Sequence, residues 1–119
     1  VSHLDQELAQ IDETPALQAQ TKSEIARALS EGVPKMADIA HRLGLSARSF
    51  HRGLAEHGLS FQTLTEETRR EIAMSMLQEE RYALSEIAFL TGYSEQSAFN
   101  RAFKRWMSVT PATYRKSLR

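Results

Sequence analysis

Residues 84–114 read LSEIAFLTGYSEQSAFNRAFKRWMSVTPATY, and the fold turns on how this stretch is read. Ile87 and Leu90 fall three apart with Ala88 beside them, a short helical apolar face that Ser85 can open. Thr91-Gly92 ends it, because glycine accepts the left-handed backbone that a helix end requires. Ser94 is placed to cap a second helix by accepting a backbone N–H, with Glu95 in its first turn. Phe99, Phe103 and Trp106 then recur at i, i+4 and i+7 as one apolar stripe. Gln96, Ser97, Asn100, Arg101 and Lys104 occupy the other faces. Two helices about a glycine turn, the second apolar behind and basic in front, form a helix-turn-helix. Amide and guanidinium groups are the kind that pair with base edges in a major groove.

Upstream, residues 35–58 (KMADIAHRLGLSARSFHRGLAEHG) repeat the pattern. Met36, Ile39, Ala40 and Leu43 form an apolar face, Gly44 ends the helix, and Ser46 can cap the next one. On that helix Phe50 and Leu54 face inward, while Arg48, Ser49, His51 and Arg52 lie on other faces. Ile39-Ala40, Gly44 and Ser46 match Ile87-Ala88, Gly92 and Ser94 at one offset. Beyond the serine the offset grows by one, so Phe50-His51-Arg52 matches Phe99-Asn100-Arg101. The second unit is therefore expected to carry one extra residue at the start of its second helix. An internal repeat of this kind sets the organisation of the chain.

The remaining segments read as supports. Residues 1–15 are acidic, end in Pro15 and read as a linker or N-terminal extension; a start at Val1 without methionine suggests a fragment or a processed product. From Ala16, Leu17, Ile25, Ala26 and Leu29 suggest a support helix closed by Gly32 and Pro34, so that residues 16–59 make the first subdomain. Residues 60–81 read as a connecting helix capped by Ser60, with Phe61, Leu64, Ile72, Ala73, Met76 and Leu77 inward. About 20 helical residues would span roughly 30 Å, close to the roughly 34 Å of one B-DNA turn. Residues 82–119 make the second subdomain, closed by a short helix with Thr110 as cap, Pro111 first, and Tyr114 packing back. The fold class expected is all-α.

Composition narrows the function. Hydrophobic residues make up 41% and charged residues 25%, which is ordinary for a globular chain, and no apolar run is long enough for a membrane span. With no cysteine there is neither a disulfide framework nor a thiolate metal site, which is compatible with a reducing cytoplasm. The formal net charge of +0 argues against a nucleic-acid ligand, but its distribution argues for one. Residues 96–119 hold Arg101, Lys104, Arg105, Arg115, Lys116 and Arg119 and no acid. His41, His51 and His57 lack the spacing and acidic neighbours of a metal site, so no metal or cofactor is expected. Glu66, Glu67, Glu71, Glu79 and Glu80 read as a solvated helix face with pairs such as Glu66–Arg70. A small helical domain offers no obvious cleft for paired-carboxylate catalysis. Gly53, inside a helix, costs about 1 kcal/mol relative to alanine and has no evident reason.

Residues 87–116, IAFLTGYSEQSAFNRAFKRWMSVTPATYRK, strongly resemble the signature of AraC/XylS-type bacterial transcription regulators, as does the weaker IAHRLGLSARSFHRGLAEHGLSF of the first unit. The resemblance spans nearly the whole chain and implies two helix-turn-helix subdomains joined by a long helix. Position by position, it implies base contacts from Arg48, His51 and Arg52 in the first unit and from Gln96, Ser97, Asn100 and Arg101 in the second. Ser46, Ser94, Lys104, Arg105 and Arg115 are the candidates for the phosphate backbone. One of Arg52 and Arg101 could instead tie its unit to the connecting helix. Members of the family commonly carry a separate effector-binding or dimerisation domain, and nothing in this chain resembles one.

The expectation is sequence-specific binding of double-stranded DNA and transcription control, with the two recognition helices in successive major grooves of an asymmetric site. On the resemblance alone, the protein activates transcription by touching RNA polymerase and works in the bacterial cytoplasm, at the nucleoid. The competing reading is a helix-turn-helix turned into a protein-interaction module. Exposed aromatics or leucines on the recognition faces would favour that reading; Arg48, Gln96, Asn100 and Arg101 favour DNA.

Overall fold

The computed structural model describes residues 13–119. Seven α-helices follow in order: α1 (Glu13–Ala28), α2 (Met36–Arg42), α3 (Ala47–Glu56), α4 (Phe61–Leu77), α5 (Leu84–Leu90), α6 (Gln96–Met107) and α7 (Pro111–Ser117). A 3-10 turn at Leu29–Glu31 prolongs α1, and no strand occurs among the described residues. The fold is all-α, with helix-turn-helix units α2–α3 and α5–α6 joined through α4. Most of the N-terminal extension read at 1–15 lies outside the described residues; α1 already runs from Glu13.

The first core is built from Leu17, Ile25, Leu29, Ile39, Ala40, Phe50, Leu54 and Leu64. Along α1 the inward stripe is Leu17, Thr21, Ile25 and Leu29, at spacings of four, and Ala26 faces solvent. Thr21, polar by composition, takes the inward position expected of Ala26. The second core gathers Ala73, Leu77, Ile87, Ala88, Phe99 and Phe103, with Tyr93, Trp106 and Tyr114 packed against it. Its rings meet edge-on or tilted: Phe103 and Tyr114 are 5.4 Å apart, and Phe103 and Trp106 are 6.3 Å apart.

Helix α4 belongs to both cores. Ser60 caps it, its Oγ accepting the Thr63 N–H at 3.1 Å. It ends at Leu77, four residues short of the expected Arg81, so its 17 residues reach about 25 Å. Leu64 enters the first core, Ala73 and Leu77 the second. Thr65 and Thr68 are buried too, because their hydroxyls donate to Phe61 O (2.8 Å) and Leu64 O (2.7 Å) one turn back. A threonine whose hydroxyl is satisfied within its own helix packs like a valine.

The C-terminal helix forms as read: the Thr110 Oγ1 accepts the Thr113 N–H at 3.2 Å, and Pro111 takes the first position. The molecule is elongated, 53 × 25 × 23 Å.

Candidate nucleic-acid interface

Both recognition helices are launched from a glycine in left-handed conformation, Gly44 at φ 75° and Gly92 at φ 93°. Helix α3 starts as expected, with Ser46 Oγ accepting the Ser49 N–H at 3.1 Å. Helix α6 does not. Its cap is Glu95, which makes no side-chain capping bond, and Ser94 stands one residue outside. The extra residue of the second unit therefore lies in the turn, not at the start of the helix, and Glu95 is the positional partner of Ser46. The opening of α5 is corrected likewise: Ala83 is its cap, Ser85 sits inside, and the Glu86 carboxylate accepts the Ala83 N–H at 3.3 Å.

With the helix starts aligned, Arg48 corresponds to Ser97, His51 to Asn100, and Arg52 to Arg101. Phe50 and Leu54 are buried on the back of α3, and Phe99, Ala102 and Phe103 on the back of α6. In front, Arg48, Ser49, His51, Arg52, Gln96, Ser97, Arg101 and Lys104 are all exposed. Arg48, Arg52, Arg101 and Lys104 have no ion-pair partner among the described residues, so neither Arg52 nor Arg101 ties its unit to α4. Asn100 is half-buried, and its Oδ1 is enclosed without a hydrogen-bond partner. A bidentate pair with adenine needs both ends of that amide, so Asn100 must rotate outward to make one. The cost of a buried orphan acceptor favours that rotation.

Three basic residues nearer the end of the chain, Arg105, Arg115 and Arg119, make contacts within the protein. Arg115 turns into the protein: Nε donates to Leu77 O at 3.0 Å, and Nη2 to Glu79 O at 3.1 Å and Met76 O at 3.4 Å. Of these carbonyls only Leu77 O has no backbone donor among the described residues, since Met76 O also accepts the Glu79 N–H and Glu79 O the Tyr82 N–H, so Arg115 caps the end of α4. Arg105 pairs with Glu66 at 3.7 Å, which replaces the expected Glu66–Arg70 pair. Other acids of the supposed solvated face also bind across elements: Lys22 meets Glu71 at 2.8 Å and Glu67 at 3.7 Å, and Arg119 meets Glu80 at 3.0 Å. The Arg119 hydrogen bond holds the Glu80 carboxyl below the ordinary carboxylate value.

Two residues beside the recognition helices were not among the expected site residues. Glu95 stands exposed at the mouth of α6, its carboxylate 3.5 Å from the Ser97 hydroxyl. A carboxylate there repels phosphate but can accept from cytosine N4; its alignment with Ser46 was the available signal. Arg69, at the middle of α4, donates from Nε to Thr91 O at 2.8 Å and lies over the Tyr93 ring at 3.7 Å. Burial lowers its pKa and raises that of Tyr93, yet an arginine stays cationic at any accessible pH. No group of three or more metal-ligating side chains occurs among the described residues, nor any helix long and apolar enough to cross a membrane.

A helix-turn-helix domain family matches residues 39–117. VirS, an HTH-type transcriptional regulator of Mycobacterium tuberculosis, is 43% identical over 89 residues, covering 75% of this chain and 26% of VirS. The C-terminal domain of AraT, a response regulator from Geobacillus stearothermophilus, superposes with TM-score 0.71 at 29% identity over 85% of this chain and 84% of that one. A DNA-binding transcriptional dual regulator from Escherichia coli K-12 superposes with TM-score 0.79 over 86% of this chain and 91% of that one. At 22% identity that likeness speaks for the fold alone. The chain spans about a quarter of the length of the curated relatives it matches.

Proposed function

Because the chain belongs to the AraC-type helix-turn-helix regulators, we propose that it binds double-stranded DNA sequence-specifically and controls transcription. Helices α3 and α6 enter major grooves on one face of the duplex. The observation that carries this reading is the pair of exposed recognition fronts, in which Arg48, Arg52, Arg101 and Lys104 have no protein partner among the described residues. An exposed guanidinium with no internal partner is available to a guanine edge or a phosphate. The large hydrophobics that stand exposed, Val33, Leu45, Phe89 and Leu118, all lie off α3 and α6, which disfavours an interaction module working through those faces.

Arg48, His51 and Arg52 would read one half-site, and Gln96, Ser97, Asn100 and Arg101 the other, so the site is asymmetric. Ser46, Ser94, Lys104 and Arg105 would meet phosphate, with Arg115 the remaining candidate. The 53 Å length covers about one and a half turns of duplex, which supports engagement of successive grooves. Activation through contact with RNA polymerase, an effector or dimerisation domain elsewhere in the protein, and action at the bacterial nucleoid complete the proposal.

Selection from a random duplex pool, followed by salt titration on the winner, tests it. The expected product has two unlike elements about one helical turn apart. Arg48→Ala and Arg101→Ala should each cost about 1–3 kcal/mol and relax one base position. Lys104→Ala should weaken all sequences alike and reduce the salt slope by about 1. Failure to enrich any sequence, with weak binding abolished by modest salt, would count against specific readout.

A further inference from the structure

The two units touch at a junction that no base-contacting residue occupies. Its centre is the turn of the second unit, Thr91-Gly92-Tyr93. Thr91 is buried, its hydroxyl donates to Ile87 O at 2.7 Å, and its carbonyl accepts from Arg69 Nε at 2.8 Å. Gly92 lies so close to the first unit that a Cβ there would stand 3.2 Å from Leu29 Cδ2 and 3.5 Å from Arg69 Nη2. Leu29 is fully buried and belongs to the first core. Tyr93 completes the clamp, its ring under the Arg69 guanidinium and against Phe99 of α6 at 5.8 Å.

From these contacts we infer that Arg69 is the positioning residue that orients α6 relative to α3, and thereby sets which spacing between two half-sites the protein accepts. Helix α6 leaves this turn within four residues of Gly92, so its direction follows the turn. The turn is held from α4 by one charge-assisted hydrogen bond and one cation–π contact, both from the same guanidinium. The other polar ties between the second unit and α4 act elsewhere, and the apolar contact of Ala73 and Leu77 with Phe99 and Phe103 is non-directional. Arg115 fixes α7 at the far end of α4, and the Arg105–Glu66 pair is exposed and worth little. A planar group that donates to a carbonyl and stacks on a ring fixes angle as well as distance, which a lysine ammonium does not. The specificity role rests on the two-helix reading of DNA; the orientation role does not.

The test uses the full chain and reads the two roles separately. The protein has no cysteine, so spin labels at Ala55→Cys on α3 and Lys104→Cys on α6 report one distance without DNA. The expected distribution is narrow in the wild-type background and broader in Arg69→Met, with Arg69→Lys between them. In unlabelled protein, binding is then compared on the selected duplex and on versions with one base pair added or removed between the halves. Arg69→Met is expected to lose roughly tenfold of the wild-type discrimination between spacings, while affinity for each half-site alone stays unchanged. An unaltered distance distribution in Arg69→Met overturns the proposal, and so does a broadened one with unaltered spacing preference. If Arg69→Met does not fold, Arg69→Lys carries the same test and must broaden the distribution. If the wild type selects no sequence yet the distribution broadens, the DNA reading fails and the orienting role stands.

Discussion

Alanine at Gly92 should destabilise the protein by about 1–3 kcal/mol more than alanine at Gly44, although the two glycines are repeats of one another. Both turns need a positive φ, 75° at Gly44 and 93° at Gly92. An L-residue there pays about 1–2 kcal/mol of left-handed strain. The surroundings differ. A Cβ on Gly44 would meet nothing within 4 Å, so strain is its whole cost. On Gly92 it would stand 3.2 Å from Leu29 Cδ2 and 3.4 Å from Leu29 O. One of these atoms is backbone, and the other belongs to a side chain with no exposed surface to retreat into. Overpacking of that kind adds about 1–3 kcal/mol. The totals are then about 1–2 kcal/mol for Gly44→Ala and about 2–5 kcal/mol for Gly92→Ala. Urea unfolding followed by circular dichroism measures both, with equal m-values as the control for two-state comparison. In heat the difference should appear as a melting point lower by several degrees for each kcal/mol. Equal losses for the two variants would refute the reasoning, since they would mean that Leu29 yields freely and Gly92 serves only as a turn residue.

Arg115→Met should cost about 2–4 kcal/mol by uncapping α4, while leaving the salt slope of DNA binding by the folded protein unchanged; a slope lower by about 1 would restore its phosphate role. Gly53→Ala should stabilise by about 0.5–1 kcal/mol, because the new Cβ would sit an ordinary 3.6 Å from Leu17 Cδ2; a lower urea midpoint would show that α1 and α3 tolerate no methyl between them. Tyr93 has its pKa raised, chiefly by burial and against the opposing pull of Arg69. The folded value thus exceeds the unfolded one, so this stability is fully present below the ordinary tyrosine value of 10.0 and is lost as pH rises through the folded value. Tyr93→Phe should flatten that alkaline decline in the urea midpoint, and an unchanged slope would remove Tyr93 as its source.

Much of this molecule was legible in the chain because local periodicity reports local structure. The stripes Phe50/Leu54 and Phe99/Phe103, the glycine turns, the caps Ser46, Ser60 and Thr110, and the repeat itself follow from spacing and from conformations only certain residues adopt. The outward faces of α3 and α6 follow too, since burying one stripe of a helix leaves the opposite stripe to solvent. Where reading failed, the deciding partner was distant in sequence or satisfied itself in a way composition hides. Thr21, Thr65 and Thr68 are polar by name yet buried, two of them with hydroxyls turned onto their own helix. The extra residue could be counted but not placed, because whether Ser94 or Glu95 caps α6 depends on where the turn docks. Arg115 looked like one more cation in a basic tail and proved to be the cap of a helix ending 38 residues earlier. Arg69 was one of two adjacent arginines, and only the return of Thr91-Gly92-Tyr93 to the middle of α4 separates its role from that of Arg70. A cation's function is set by whichever acceptor or ring the fold brings to it, and that partner is chosen by tertiary packing, not by the residues on either side.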